Sequence, residues 1–315
     1  MDKKRLKIAF LSKFQGKVSR GVETYVEELS KRLALNHDVE VLKDKDADSF
    51  FKIITGKYDV VIPTNGRLQA LKASLGRIFG GYRTLISGQA GLGKDDIWNI
   101  AVTIPNVYVA LTDFEAEWAK KWSLKTKVAK IPNGVDLDKF YPARSHLAKL
   151  KPVILSVGAL EWYKYHERTI KAMEFVDGLL IIVGKGPKKD ELLALGDKII
   201  PGRLKIISVE YKDIPEVYRK ADLFVLPSWD RESFGIVYVE AMASGLAVVA
   251  PDDLSRREIV GDAGFLVNTN DSVVYAKAIN KALKRNWKDL PRKQAEKFSW
   301  DSVEEKYEKL LEELL

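Results

Sequence analysis

Short β-branched and aliphatic runs alternate with helical stretches along almost the whole chain, and that alternation decides the fold class. Runs at 7–12, 39–42, 60–63, 84–87, 107–111 and 128–131 read as buried strands. Helical segments separate most of them, the first an amphipathic helix over 21–35. Strands that are apolar throughout need cover on both faces, which calls for a parallel sheet with helical crossovers. PNGVDLDKFYP at 132–142 breaks the rhythm with turn residues, and a polar, basic run continues to Lys151. The alternation then restarts at 153–157, 179–183, 204–207, 223–226 and 247–250. The pattern predicts two doubly wound α/β domains in series, 1–147 and 148–298, joined near 142–151. A last helix over 299–315 carries Trp300, Val303, Tyr307 and Leu310 on one stripe. The sequence leaves open whether it packs back on the first domain. Ligands of such sheets bind beyond the carboxyl ends of the strands, so a site in a cleft between the domains is expected.

The 315 residues, 46% hydrophobic and 30% charged, describe a soluble globular protein with room for two domains. No apolar run approaches the ~20 residues of a membrane span, and the basic start MDKKRLKIAFLS runs into a strand and not a signal peptide. The absence of Cys excludes disulfides, thiolate metal sites and cysteine catalysis, and suits a reducing, cytoplasmic setting. Abundant Lys and Glu resemble a thermophile composition. His37, His146 and His166 lack metal-ligand spacing, so no metal site is assigned. The net charge of +8 implies anionic company. With no zinc finger and no aromatic RNA-binding signature, nucleic acid is not the expected partner.

Chemistry concentrates in PSWDRESFGIVYVEAMASGLAVVA, at 227–250. Glu232 and Glu240 flank a Phe-Gly turn, the first in a loop after a strand and the second inside an apolar helix that Gly235 opens and Gly245 closes. Two carboxylates offer a hydroxyl-rich ligand two acceptors, and the helix start between them offers unpaired N–H groups to phosphates. The spacing fits a sugar nucleotide. The plainer reading is a solvated helix. Glu240 argues against it, because its helical neighbours Ile236, Val237, Val239, Ala241, Met242 and Ala243 are apolar, and a buried charge is costly unless something meets it.

Three further segments lie at strand-to-helix turns. Ser19-Arg20-Gly21-Val22-Glu23 precedes the first helix, where Gly21 permits close backbone approach and the helix start favours an anion. Gly158-Ala159-Leu160-Glu161-Trp162-Tyr163-Lys164 places a cation near the next helix start, able to neutralise a leaving diphosphate. Gly184-Lys185-Gly186-Pro187 reads as a plain turn or as a close approach to ligand. Taken singly, each of these is also an ordinary turn or an exposed lysine.

Taken together, KIPNGVDLDKFYP, VILSVGALEWYK, IIVGKGPKKDELL and DIPEVYRKADLFVLPSWDRESFGIVYVEAMASGLAVVA resemble the retaining glycosyltransferases of the GT-B fold, in particular glycosyltransferase family 4. The likeness covers nearly the whole chain and is strongest over 129–260. It implies two Rossmann-like domains facing each other across a cleft, the first binding the acceptor and the second the nucleotide-sugar, with no metal or other cofactor. It implies transfer of a hexosyl group from a nucleoside diphosphate sugar to a hydroxyl of a glycan, glycolipid or lipid-linked acceptor. Carried over by residue, the likeness gives Glu240 the ribose hydroxyls and Glu232 the transferred sugar, together with the backbone at Phe234 and Gly235. Lys164 would hold the diphosphate, Gly21 would approach it from the first domain, and Ile236 and Val237 would present helix N–H groups. Glu258 matches a recurrent glutamate of the family.

The departures from the family pattern matter. Arg is common where Ala159 stands, so one of two diphosphate cations is missing, with Arg231 as a candidate substitute. Tyr165 stands where glycine usually follows the lysine, and Gln89 lies in the stretch that often carries a His beside the acceptor. A sugar-nucleotide-binding protein with reduced or lost turnover is the alternative reading, and nucleotide-sugar epimerisation a third. Asp44-Lys-Asp46 and Asp136-Leu-Asp138 read as a solvated loop and a turn. Between Asp59 and Asp95 there is no acid, while Arg67, Lys72, Arg77, Arg83 and Lys94 are present. The stripe Leu68, Leu71, Leu75, Ile78 and Tyr82 within this basic 67–94 region predicts a helix packed on the sheet, the alternative being a peripheral contact with the inner membrane face.

Overall fold

The computed structural model describes residues 4–17, 21–143 and 150–314, so Ser19, Arg20 and most of the 142–151 connection lie outside the described residues. The chain divides into two compact units, Met1–Gly134 with Trp300–Leu315, and Val135–Ser299. The division therefore falls at the PNGVD turn and not in the polar run that follows it. Residues after the turn already pack with the second unit. Phe140 is buried against Tyr218, ring centroids 5.8 Å apart, and Arg292 donates to the carbonyls of Leu137 and Phe140.

The first unit carries β1 (Lys7–Leu11), β2 (Asp38–Leu42), β3 (Val60–Pro63), β4 (Arg83–Ser87), β5 (Val107–Ala110) and β6 (Lys127–Lys130), in the order β2-β1-β3-β4-β5-β6. All pairs are parallel, with Ile8 of β1 opposite Val60 of β3 and Lys7 opposite Asp38 of β2. The second unit carries β7 (Val153–Val157), β8 (Leu179–Val183), β9 (Leu204–Ile207), β10 (Leu223–Val225), β11 (Val248–Pro251) and β12 (Gly264–Val267), in the order β12-β11-β10-β7-β8-β9, also parallel. β12 is an edge strand whose four residues are all half-buried, so it lacks the apolar run that reveals its neighbours in the sequence.

The core strands are buried end to end because helices cover both faces. Tyr25, Val26, Leu29 and Leu33 of the helix Gly21–Leu33 share one core with Ile8 and Phe10 of β1. Each such side chain contributes about 1.5–3 kcal/mol when fully buried. The helix Trp300–Leu314 joins that same core through Trp300, Val303, Tyr307 and Leu310, and the Tyr307 and Tyr25 hydroxyls meet at 2.9 Å. The last helix thus completes the first unit.

The helix Arg67–Gly80 corrects an expectation. It packs through Gln69, Ala70, Ala73, Ser74 and Gly76, a face of small residues that allows close approach. Leu68, Leu75 and Ile78, expected against the sheet, are 74%, 50% and 73% exposed, and Phe79 is 73% exposed beside them. Among the described residues no helix is long and apolar enough to cross a membrane.

Candidate functional site

In the second unit the strand order reverses at the adjacent pair β7 and β10, where a parallel sheet leaves a crevice beyond its carboxyl ends. The segment after β7 delivers Lys164, the last residue of a short 3₁₀ turn at Trp162–Lys164. The segment after β10 delivers Glu232. Lys164 Nζ and Glu232 Oε2 meet at 2.6 Å, with the side chains 15% and 18% exposed. Two residues 68 positions apart are therefore brought together at the switch point. Burial alone would push the Glu232 carboxyl up, but the Lys164 charge and hydrogen bond, the Arg256 charge and Ser228 outweigh it and hold it below the ordinary range. Glu232 is ionised and ready to accept.

The loop carrying Glu232 is fixed from beneath by Arg256, a residue sequence reasoning passed over. Arg256 is 2% exposed. It donates to the Ser228 hydroxyl at 2.7 Å, the Trp229 carbonyl at 2.7 Å and the Tyr238 hydroxyl at 3.1 Å, and it pairs with Asp253. Burial works against its charge, yet Tyr238, Asp253 and Glu232 outweigh that and raise its pKa further. Its only signal in the sequence was one of two adjacent arginines after Asp253, the N-cap of the helix Leu254–Val260. Helical phase sends Arg256 inward and leaves Arg257 outside with Asp252.

Gly235 adopts φ +75° and opens the helix Ile236–Ala243, as the sequence indicated. A Cβ there would stand 2.6 Å from the Tyr238 ring, so glycine is required both by the backbone and by the neighbour. The helix start at Ile236 and Val237 is half-buried, whereas Phe234 is buried against Phe298. Glu240, at 2% exposure, is met by two tyrosines: Tyr218 donates to Oε2 at 2.9 Å and Tyr211 to Oε1 at 3.1 Å. Burial pushes its carboxyl up to about 7 despite those hydrogen bonds and the Lys139 charge. The sequence foresaw a buried glutamate but not its partners, since both tyrosines come from the segment after β9.

The neighbouring turns serve packing. Gly184 sits where a Cβ would lie 1.9 Å from the Gly158 carbonyl, and Leu160 exchanges backbone hydrogen bonds with Lys185 and Lys188. Tyr165 takes φ +52°, the left-handed conformation that explains why glycine is usual here, and stacks on Arg168 with the guanidinium carbon 3.6 Å from its ring centre. Ala159 is exposed, while its carbonyl contacts His166 Nε2 at 3.2 Å. Burial lowers the His166 pKa to about 4, so the ring is neutral. Arg231 is exposed and lies over the Trp229 ring at 5.1 Å. Asp44 pairs with Lys17 and Asp46 with Lys52 at the surface, and Asp136 accepts from the backbone of Asp138 and Lys139.

In the first unit Gly21 is exposed at the start of its helix. Gln89, beyond the carboxyl end of β4, exchanges amide hydrogen bonds with Asn133 at 2.8 and 3.0 Å. In the same unit, Tyr108 donates to Glu115 at 2.9 Å, and fully buried Asp96 has no hydrogen-bond partner for either oxygen among the described residues. Burial pushes the Asp96 carboxyl up to about 7, with the Asp95 charge adding to the rise. The folded chain therefore keeps this proton while the unfolded chain releases it near 4, so stability present below that pH is lost as pH climbs toward 7. Asp96→Asn is expected to flatten this fall and to gain on the order of 2 kcal/mol at pH 8. Urea unfolding across pH checks it, and parallel profiles for both proteins would contradict it.

Comparison with known proteins places this geometry. Residues 138–299 match the family described as Glycosyl transferases group 1. The D-inositol 3-phosphate glycosyltransferase of Mycolicibacterium smegmatis is 30% identical over 196 residues, 56% of this chain and 45% of that protein. The phosphatidyl-myo-inositol mannosyltransferase of the same organism is 32% identical over 182 residues, 54% of this chain and 46% of that protein. The matched stretch thus spans about half the length of these curated relatives. Anabaena Alr3699/HepE, solved in complex with UDP and glucose, superposes with a TM-score of 0.83 at 18% identity, covering 98% of this chain and 100% of that one. With two parallel six-stranded α/β units of the GT-B type and a match over half its length, this chain belongs to the glycosyl transferases group 1 family, of the family 4 kind.

Proposed function

We propose that this chain is a retaining, metal-independent glycosyltransferase that moves a hexosyl group from a nucleoside diphosphate sugar to an acceptor hydroxyl. The observation carrying the reading is the Lys164–Glu232 ion pair at the switch point of the second sheet. In the proposed reaction the bond between the anomeric carbon and the donor phosphate oxygen breaks. The acceptor oxygen bonds that carbon on the same face, and its proton passes to the departing diphosphate. Lys164 and the N–H groups at Ile236 and Val237 offset the charge that develops on the leaving group, where a fixed cation in a shielded site acts most strongly. Glu232 turns its carboxylate to a sugar hydroxyl, and Glu240 receives the ribose as the Tyr211 hydroxyl gives way. Gly21 and Gln89 belong to the first unit, the side proposed to hold the acceptor.

A lipid-linked acceptor draws support from the uncovered Leu68, Ile78 and Phe79 face and from the relative named for phosphatidyl-myo-inositol. Retention on phosphatidylglycerol vesicles, lost in the Leu68→Ser/Ile78→Ser pair, checks that contact, and a parent that stays in solution overturns it. Exposed Ala159, without the usual arginine, favours a second reading, a binding protein without turnover. One experiment separates the two. Thermal shift against UDP-, GDP- and ADP-sugars finds the donor that stabilises the fold, and release of nucleoside diphosphate is then followed with Glu232→Ala as control. Turnover lost in the variant supports transfer, binding without turnover across acceptors supports the second reading, and equal turnover in both proteins rejects the assigned role.

A further inference from the structure

At the opposite end of the first sheet lies a cavity of about 650 Å³ lined by Asp59, Arg77, Arg83, Ile104, Asn106 and Lys125, among others. Asp59, Arg83, Asn106 and Lys125 stand at or just before the first residues of β3, β4, β5 and β6, so the cavity opens at the amino ends of the strands. Gln89 lies beyond the carboxyl ends, about 13–17 Å away along strands of this length. The cavity is therefore separate from any site at the carboxyl ends.

Its walls are electropositive. Three cations line it against one acid, and the Asp59 carboxylate is already engaged, accepting from the Lys7 N–H at 2.7 Å. Arg83 and Lys125 are exposed, and neither has an ion-pair partner among the described residues. Arg77 spends one N–H on the Ile104 carbonyl at 2.7 Å, which fixes the guanidinium at the wall with other donors to spare. Ile104 makes that contact from φ +44°, a conformation costly for a β-branched residue, and it precedes Pro105, which restricts it further. Strain of this sort, on the order of 1–3 kcal/mol, persists where the surroundings over-determine it, and here it aims a carbonyl at an arginine.

We propose that this cavity binds a phosphate- or diphosphate-bearing group at a site distinct from the transfer site. Its volume falls within the range of small-ligand pockets, and two arginines lining one cavity, Arg77 held by the Ile104 carbonyl, suit paired phosphate oxygens better than a diffuse positive surface does. The group comes either from a soluble phosphate or from an anionic lipid headgroup, given that exposed Ile78 and Phe79 follow Arg77 directly.

Two probes distinguish the sources. Inorganic pyrophosphate is titrated while the backbone amide resonances of Arg83 and Asn106 are followed. Flotation is measured on phosphatidylcholine vesicles with and without phosphatidylglycerol. The Arg83→Gln/Lys125→Gln pair is compared with Lys171→Gln/Lys205→Gln, which removes the same charge from exposed positions of the second unit. Saturable shifts weakened about tenfold or more in the first pair and kept in the second assign a soluble phosphate. Phosphatidylglycerol-dependent flotation with the same pattern assigns a lipid headgroup. The proposal is overturned when neither response occurs, or when both pairs respond alike. Because these readouts need no sugar donor, their failure leaves the transferase reading standing.

Discussion

Lys164→Met is expected to lower sugar transfer by about 10²–10³-fold, the cost of removing one fixed group that stabilises charge developing in the transition state. The methionine keeps the bulk of the side chain, so packing around the 3₁₀ turn survives and the loss is chemical. In the proposed reaction the charge of Lys164 acts on the departing diphosphate more than on the bound donor, so turnover should fall further than donor affinity. A second consequence follows from the ion pair. In the parent, Lys164 helps hold the Glu232 carboxyl below its ordinary range. A depressed acid contributes stability above its unfolded pKa and loses it as pH falls through the folded one. Without Lys164 the burial of Glu232 is opposed only by Arg256 and Ser228, so acid unfolding should begin at a higher pH in the variant. Initial rates and an acid titration followed by circular dichroism measure both effects. A variant within about threefold of the parent rate would remove Lys164 from the chemistry.

Arg256→Met is expected to cost about 3–5 kcal/mol, the range for breaking a buried charged network by removing one partner. The substitution leaves the Ser228 and Trp229 carbonyls and the Tyr238 hydroxyl without a donor they now share, and it strips Asp253 of its cation. In a chain of this size the loss corresponds to a fall of roughly 10 °C in the unfolding midpoint. Turnover should fall as well, measured at a temperature where the variant remains folded, because these contacts hold the loop that ends in Glu232. Conversely, an Arg256→Met protein within about 1 kcal/mol of the parent would show that the network is incidental.

Strand positions were legible in the sequence wherever a strand is buried on both faces. Val153–Val157 and Leu179–Val183 announce themselves as unbroken apolar runs, whereas β12 at the sheet edge does not. The helix Arg67–Gly80 was misread because period alone cannot say which stripe faces inward. Its small residues pack, while Leu68 and Leu75 stay exposed and Leu71 is only half-buried. Glu232 and Lys164 could be named from the family likeness, but their contact depends on which strands are neighbours. Arg256, Tyr211 and Tyr218 escaped because a buried polar partner has no local signature. Its role exists only once distant segments are folded together.

The most direct measurement is a crystal structure of this chain with the nucleoside diphosphate sugar that stabilises it best. The diphosphate is expected against Lys164 and the backbone at 234–237, with a sugar hydroxyl on Glu232, the ribose on Glu240 and the Tyr211 hydroxyl displaced. A donor bound elsewhere, with the Lys164–Glu232 and Tyr211–Glu240 contacts undisturbed, would contradict the account.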